Sequence, residues 1–230
     1  MESGLLLGVD TCGAVGSIAL GRVRDGRGLD GRGLDGWIDV LGEAQIPGGE
    51  LSVSLVQGIA DLLSAAGIAV GDLAGIVAVA GPGSFTGIRI GLAAVKALAE
   101  AKNLPVVTVS RLALLAEVAE APCSVLDAHR GQFYRGMYGA GEAREMLLTA
   151  GEINTMGGLK GRVAVCEETV AQLLEELYGE PEIVRVSPPG AKAALRFGLG
   201  KLKAGDLADV AALDGYYLRG ADAKVPAKAG

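Results

Sequence analysis

GPGSFTGIRIGLAAVKALAE, residues 81–100, follows the apolar stretch LAGIVAVA at 73–80 and runs straight into an apolar helical pattern. Glycines and hydroxyls between a strand and a helix suit a phosphate loop, because backbone N–H groups at a helix start attract anions. The spacing fails both tests for one. A mononucleotide loop needs G-x-x-x-x-G-K-[ST], with the lysine reaching the phosphates; here the first lysine is Lys96, deep in the helix. A dinucleotide loop needs G-x-G-x-x-G; Gly81 and Gly83 fit, but Thr86 holds the third position and Gly87 comes one residue late. The stretch reads better as a turn at Pro82 and Gly83 that launches a helix capped by Ser84 or Thr86. Anion binding is the minor alternative.

Upstream, LLLGVD (Leu5 to Asp10) and VGSIALGRV (Val15 to Val23) form a predicted hairpin across the short turn TCGA, and WIDVLGEAQ supplies a third strand. Between the second and third strands GRGLD occurs twice, at 26–30 and 31–35, as a Gly- and Asp-rich turn region. A helix is predicted over 49–67. Leu51, Leu55, Ile59, Leu62 and Ala66 follow helical spacing, and Val53, Val56, Ala60 and Leu63 widen the apolar surface well beyond that stripe. Only Ser54, Gln57, Asp61 and Ser64 form a polar strip. A surface helix shows a broader polar face, so this one is expected to be covered on more than one side. The helix that begins in the 81–100 stretch is similar, its polar strip being Arg89, Lys96, Glu100 and Asn103, with Gly91, Ala93, Ala97 and Ala99 allowing close approach. PVVTV at 105–109 is a strand, and SRLALLAEVAEA is a helix capped by Ser110.

Three antiparallel strands, then helix, strand, helix, strand, is the half-domain order of actin, sugar kinases and Hsp70. The second half repeats the beginning of it: CSVLDAHRGQFYRGMY reads as strand, turn, strand, followed by RVAVC, the helix EETVAQLLEELYG, the short strand EIVRVSP and the helix GAKAALRFGLGKLKAG. The expected fold is therefore α/β, of the ASKHA type (actin, sugar kinase, Hsp70-like), with two ribonuclease-H-like half-domains. They are expected at 1–109 and 110–230, joined near 110–122, with the last segment packing back on the first half.

Composition sets outer bounds. The chain has 230 residues, 50% apolar but only 4% aromatic, so its core must be built of Leu, Val, Ile and Ala. A net charge of -6 and no Lys/Arg cluster argue against direct binding of nucleic acid. Cys12, Cys123 and Cys166 are odd in number and form no C-x-x-C pair, so free thiols in a reducing compartment are expected. MESGLLLGVD lacks a basic n-region, and no run approaches the roughly 18 apolar residues of a membrane span. The expectation is a cytoplasmic protein with no membrane association.

Two further motifs could carry chemistry. In VDTCGAVGS, an Asp at a strand end followed by a hydroxyl and a tight turn matches the first phosphate loop of this fold, so Asp10, Thr11 and Gly13 are candidates for a vestigial phosphate loop. A plain hairpin turn explains them equally well. MGGLKG at 156–161 precedes a strand, whereas an adenosine loop should follow one, so it is read as a turn. With His129 as the single histidine, a two-His metal site within the chain is impossible, and no nucleophile motif accompanies Asp127 and His129. Nothing points to a protease.

GPGSFTGIRIGLAAVKALA resembles the signature of the TsaB family, also called YeaZ. LLLGVDTCGAVGSIAL is similar to that family's first hairpin, LDAHRGQFY to the segment opening its second half, and YYLRG to a segment near its end. The resemblance implies a non-catalytic subunit, with no cofactor and no metal, required for threonylcarbamoylation of adenosine 37 in tRNAs reading ANN codons. Its implied partners are the catalytic subunit TsaD and the ATPase TsaE, with a homodimer when alone and tRNA contacted only indirectly. The family's partner-binding helices carry over to 51–66 and 88–101, with Leu51, Leu55, Ile59, Leu62, Ile90, Gly91, Ala94 and Leu98 as implied interface residues. Gly81, Pro82, Gly83, Ser84, Thr86, Gly87 and Arg89 make up the signature loop. Three departures stand out: GGELSVS replaces the usual His-Ser near the first of these helices, His129 replaces an Arg, and GRGLD is duplicated. The alternative reading is a small-molecule kinase or ATPase of the same fold.

Overall fold

The first strand is apolar from Leu5 to Val9 because the sheet is covered on both sides. In the computed structural model, which describes residues 4–24, 37–139, 143–179 and 181–218, β1 (Leu5–Asp10) sits at the centre of a five-stranded sheet. It pairs antiparallel with β2 (Val15–Arg24), Leu5 opposite Arg22 and Asp10 opposite Ser17. β3 (Trp37–Pro47) extends that meander. On the other side of β1, β4 (Leu73–Gly81) and β5 (Val106–Ser110) run parallel to it, so the order is β3-β2-β1-β4-β5. The GRGLD copies lie outside the described residues.

The second sheet repeats the first. β6 (Cys123–Asp127), β7 (Gln132–Met137) and β8 (Arg144–Thr149) form an antiparallel meander, and β9 (Arg162–Val165) and β10 (Glu182–Arg185) add in parallel. The order β8-β7-β6-β9-β10 is that of the first sheet, strand for strand.

Among the described residues six α-helices cover these sheets. α1 (Leu51–Ala65) turns Leu51, Leu55, Ile59 and Leu63 inward. Each such side chain contributes roughly 1.5–3 kcal/mol of burial. α2 (Phe85–Lys102) buries Ile88, Leu92, Val95 and Ala99 in the same core. The opposite face of the first sheet is covered by α6 (Ala191–Lys203), which follows β10: Ala191, Ala194, Leu195, Leu199 and Leu202 join the first core, and Gly198 lies against Val77. Ser17 Oγ accepts the Ala191 N–H at 2.8 Å and so ties the start of α6 to β2.

α3 (Arg111–Val118) occupies the segment expected as the linker and packs Leu112 and Leu115 against Leu126 and Ala164 of the second sheet. On the other face of that sheet, α4 (Ala150–Thr155) and α5 (Glu168–Tyr178) bury Ile153, Val170, Ala171 and Leu174 with Val125, Phe133 and Val163. The helix that follows β5 thus covers the second sheet, and the helix that follows β10 covers the first. Residues 143–155 have no assigned element in the sequence reading. The structure forms β8 and α4 there, joined by a capping box in which Thr149 and Glu152 exchange hydrogen bonds.

Candidate functional site

The β1–β2 turn and the first turns of α2 are built against each other. Gly83, Gly87 and Gly91 recur every fourth residue, which puts the last two on one side of the helix. A Cβ on Gly83 would overlap the Cys12 carbonyl oxygen; on Gly87, the Thr11 carbonyl oxygen; on Gly91, the Thr11 hydroxyl. The Ser84 N–H donates to the Cys12 carbonyl at 2.8 Å. Ser84 Oγ accepts the Gly87 N–H at 3.2 Å, so of the two candidate caps it is Ser84 that closes the helix. Gly81 has φ +129 and lies against the Tyr216 carbonyl, a position only glycine fills without strain. The signature loop is therefore packed on the chain's own backbone at the β1–β2 turn.

The candidate phosphate turn is closed from inside as well. Asp10 is 4% exposed, and its Oδ1 accepts the Cys12 N–H at 2.9 Å. Burial holds the Asp10 carboxyl above its ordinary value, with the Arg111 cation pulling the other way. Arg111, 8% exposed at the start of α3, has its Nη2 3.1 Å from where a Cβ on Gly13 would stand, and its buried Nε donates no hydrogen bond. The equivalent turn of the second half has the same form. Asp127 ends β6, its Oδ1 accepts the His129 N–H at 2.7 Å, its Oδ2 lies 2.9 Å from His129 Nδ1, and its own N–H donates to Glu167 Oε2 at 3.0 Å. Both strand-end aspartates thus spend an oxygen on their own turns. Sequence reasoning missed Arg111; its signal was a single cation opening a helix whose next five residues are apolar. Among the described residues no group of three or more His, Cys, Asp or Glu is placed to hold a metal.

The proposed interface residues divide. Leu51, Leu55 and Ile59, implied as interface residues by the family resemblance, are at most 4% exposed and belong to the core, because their stripe is the one that faces the sheet. Gly91 is also buried, against Thr11. Leu62, Ile90, Ala94 and Leu98 are partly buried against the same core. The outward apolar side of α1 is carried by Val53, 81% exposed, and Val56, 63% exposed, with exposed Ala60 between the polar positions. On α2 the outward residues include Thr86, Arg89, Ala93 and Ala97. At its start, exposed Phe85 packs on Tyr217 with ring centroids 5.2 Å apart, and Arg89 Cζ stands 3.9 Å over the Phe85 ring. Tyr217 belongs to a C-terminal strap that runs along α2: the Tyr216 N–H donates to the Ala80 carbonyl at 2.8 Å, and Lys96 Nζ to the Ala211 carbonyl at 2.6 Å. Of YYLRG, Arg219 and Gly220 lie outside the described residues.

Two sheets of one topology, each with an aspartate turn at the end of its first strand, define an α/β protein of the ASKHA type with two ribonuclease-H-like halves. Residues 49–154 match the family model described as TsaD, tRNA N6-adenosine threonylcarbamoyltransferase. The tRNA threonylcarbamoyladenosine biosynthesis protein TsaB of Bacillus subtilis is 38% identical over 91 residues, 38% of this chain and 40% of that protein. The Escherichia coli TsaB is 33% identical over 86 residues, 35% of this chain and 37% of its own length. These matched stretches span well under two thirds of either relative. The solved structure of YeaZ from Pseudomonas aeruginosa superposes with a TM-score of 0.67 at 26% identity, covering 95% of this chain and 100% of that one. In sequence over these stretches, and in fold over nearly its whole length, the chain is similar to proteins of the TsaB (YeaZ) family.

Proposed function

We propose that this chain is a non-catalytic subunit of tRNA threonylcarbamoyladenosine biosynthesis. In this reading it binds and activates TsaD, together with the ATPase TsaE, for modification of adenosine 37 in tRNAs reading ANN codons. It acts in the cytoplasm, pairs with itself when alone, and leaves tRNA contact to its partner. The observation that carries the reading is the outward face of α1, where Val53 and Val56 stand in solvent at 81% and 63% exposure on a helix whose other side is already core. Burying each against a partner would contribute roughly 1.5–3 kcal/mol. The non-catalytic part rests on the closed turns, since Asp10 is bonded to Cys12 and a buried arginine lies on Gly13. The names of the matched relatives supply the pathway.

The test is co-expression with TsaD of the same organism, followed by co-purification and a tRNA modification assay with and without this chain. Stable association and modification that depends on this chain are expected. Full modification without it overturns the proposal. Calorimetry of the isolated chain with ATP is expected to show no binding; binding that is lost on substitution of Asp10 would favour the kinase or ATPase alternative.

A further inference from the structure

The exposed Arg89 side chain is held in one orientation by the chain itself. Its Cζ stands 3.9 Å over the centre of the Phe85 ring, and its Nε donates to the Tyr217 hydroxyl at 3.4 Å. The Tyr217 ring is fixed in turn. It packs on the first core and folds back over Gly215, where a Cβ would overlap it. A guanidinium held on its face and at Nε keeps its two Nη groups for another acceptor. No carboxylate among the described residues supplies one, whereas Arg24, Arg162 and Arg185 each pair with an aspartate or glutamate.

The surroundings favour a protein carboxylate over a phosphate. Arg89 shares the outward side of α2 with Thr86, Ala93 and Ala97, and the neighbouring α1 turns Val53 and Val56 outward. Lys96 is turned to the strap, where it donates to the Ala211 carbonyl, and Glu100 lies about three turns along from Arg89. Proteins that hold nucleic acid neutralise roughly 6–10 phosphates. One cation on a chain of net charge -6 falls well short of that. A single arginine set among apolar and small residues is the composition of a protein interface, where Arg is enriched among the few residues that carry the affinity.

We propose that Arg89 is the anchor of the partner surface, receiving an aspartate or glutamate side chain of the partner in a two-N–H fork. The anchor rests on the reading of the outward α1 side as the surface that meets TsaD, and adds to it a residue that selects the partner. A guanidinium fork binds a carboxylate more strongly and with more direction than a lysine does. Stacking on Phe85 and the contact with Tyr217 remove side-chain freedom in advance, so less is lost on docking. Tyr217 is thus a positioning residue: the strap serves partner binding by aiming Arg89.

The experiment measures the affinity of the full chain for TsaD of the same organism by calorimetry at several salt concentrations. Arg89→Gln should weaken binding by roughly 30-fold or more, as loss of a hot-spot arginine does, and flatten the salt dependence. Arg89→Lys keeps the charge but loses the fork and the stack, and should weaken binding about tenfold. Tyr217→Phe removes only the hydroxyl and should weaken it by about three- to tenfold through lost preorganisation. Each variant should melt like the wild type. Unchanged affinity in Arg89→Gln, with binding lost in the Val53→Asp, Val56→Asp double variant, overturns the anchor and leaves the proposed function standing. Equal affinity in Arg89→Lys shows that charge alone is read, and overturns the fork. Unchanged TsaD affinity with weaker tRNA retention by the Arg89→Gln complex assigns the guanidinium to a phosphate and also overturns the anchor. Absence of any binding by the wild type removes the proposed function and the anchor together.

Discussion

At Gly87 a single methyl group would overlap the Thr11 carbonyl oxygen, which belongs to the backbone of the β1–β2 turn and cannot rotate away. Helix propensity alone favours Gly87→Ala by roughly 1 kcal/mol. Overpacking against fixed backbone costs roughly 1–3 kcal/mol, occasionally more. The clash should win, and Gly87→Ala should lower the melting temperature by several degrees, at roughly 2–4 °C per kcal/mol for a chain of this size. A melting temperature at or above that of the wild type would show that α2 does not rest on this turn. Gly91 is buried against the Thr11 side chain rather than backbone, and a large charged residue there would still damage the fold before it could report on a partner. The thiols give a pH-dependent test. Burial pushes Cys166 up to about 11 and Cys12 well above its ordinary value. The thiolate is the reactive form, and a free cysteine titrates near 8.5. At pH 8 Cys166 should therefore react with Ellman's reagent about two orders of magnitude more slowly than a free cysteine. The rate should climb about tenfold per pH unit towards pH 11. Fast labelling at pH 8, located by mass spectrometry, would contradict that burial.

Among the elements, α1 and α2 show what periodicity can and cannot give. The helices themselves, their strand neighbours and the ASKHA order were legible, because core positions repeat every three or four residues in helices and the strands are near-continuous apolar runs. Which apolar side of α1 meets the sheet was not legible. A helix covered on two sides carries two apolar stripes, and spacing ranks them equally; the fold assigned Leu51, Leu55 and Ile59 to the core and Val53 and Val56 to the outside. β8 escaped because Met146, Leu147 and Leu148 are consecutive rather than alternating, and only Leu148 is buried. The cap signal T-A-G-E at 149–152 was there to be read. Arg111 and Phe85 gain their meaning only from residues far along the chain, Gly13 and Tyr217. At this scale the proposed function gives a clean contrast. Val53→Asp with Val56→Asp should leave stability within about 0.5 kcal/mol per site, as surface changes do, yet abolish co-purification with TsaD. Leu55→Asp, 1% exposed, should prevent folding. Retained co-purification by the double variant would remove the α1 interface.

For the whole molecule, the exchange of helices decides how the halves behave. We propose that the division at 1–109 and 110–230 is one of topology and not of independent folding. The first sheet is covered by α6 from beyond residue 190, and the second by α3, which follows β5 directly. Removing either half would expose the apolar face of the other. Differential scanning calorimetry should accordingly show one transition whose calorimetric and van't Hoff enthalpies agree. Two resolved transitions would mean that the halves melt alone. No helix among the described residues is long and apolar enough to cross a membrane.

The strap along α2 adds a matter of timing. Arg89 meets the Tyr217 hydroxyl 128 positions further on, and Lys96 meets the Ala211 carbonyl 115 positions on. A ribosome builds the chain from its N-terminus onward, so α2 emerges long before the residues that brace it. A nascent chain, or one cut short before Ala211, presents α2 without its brace. The helix that carries the signature, made in the first half of synthesis, is thus braced by the last described residues to be made.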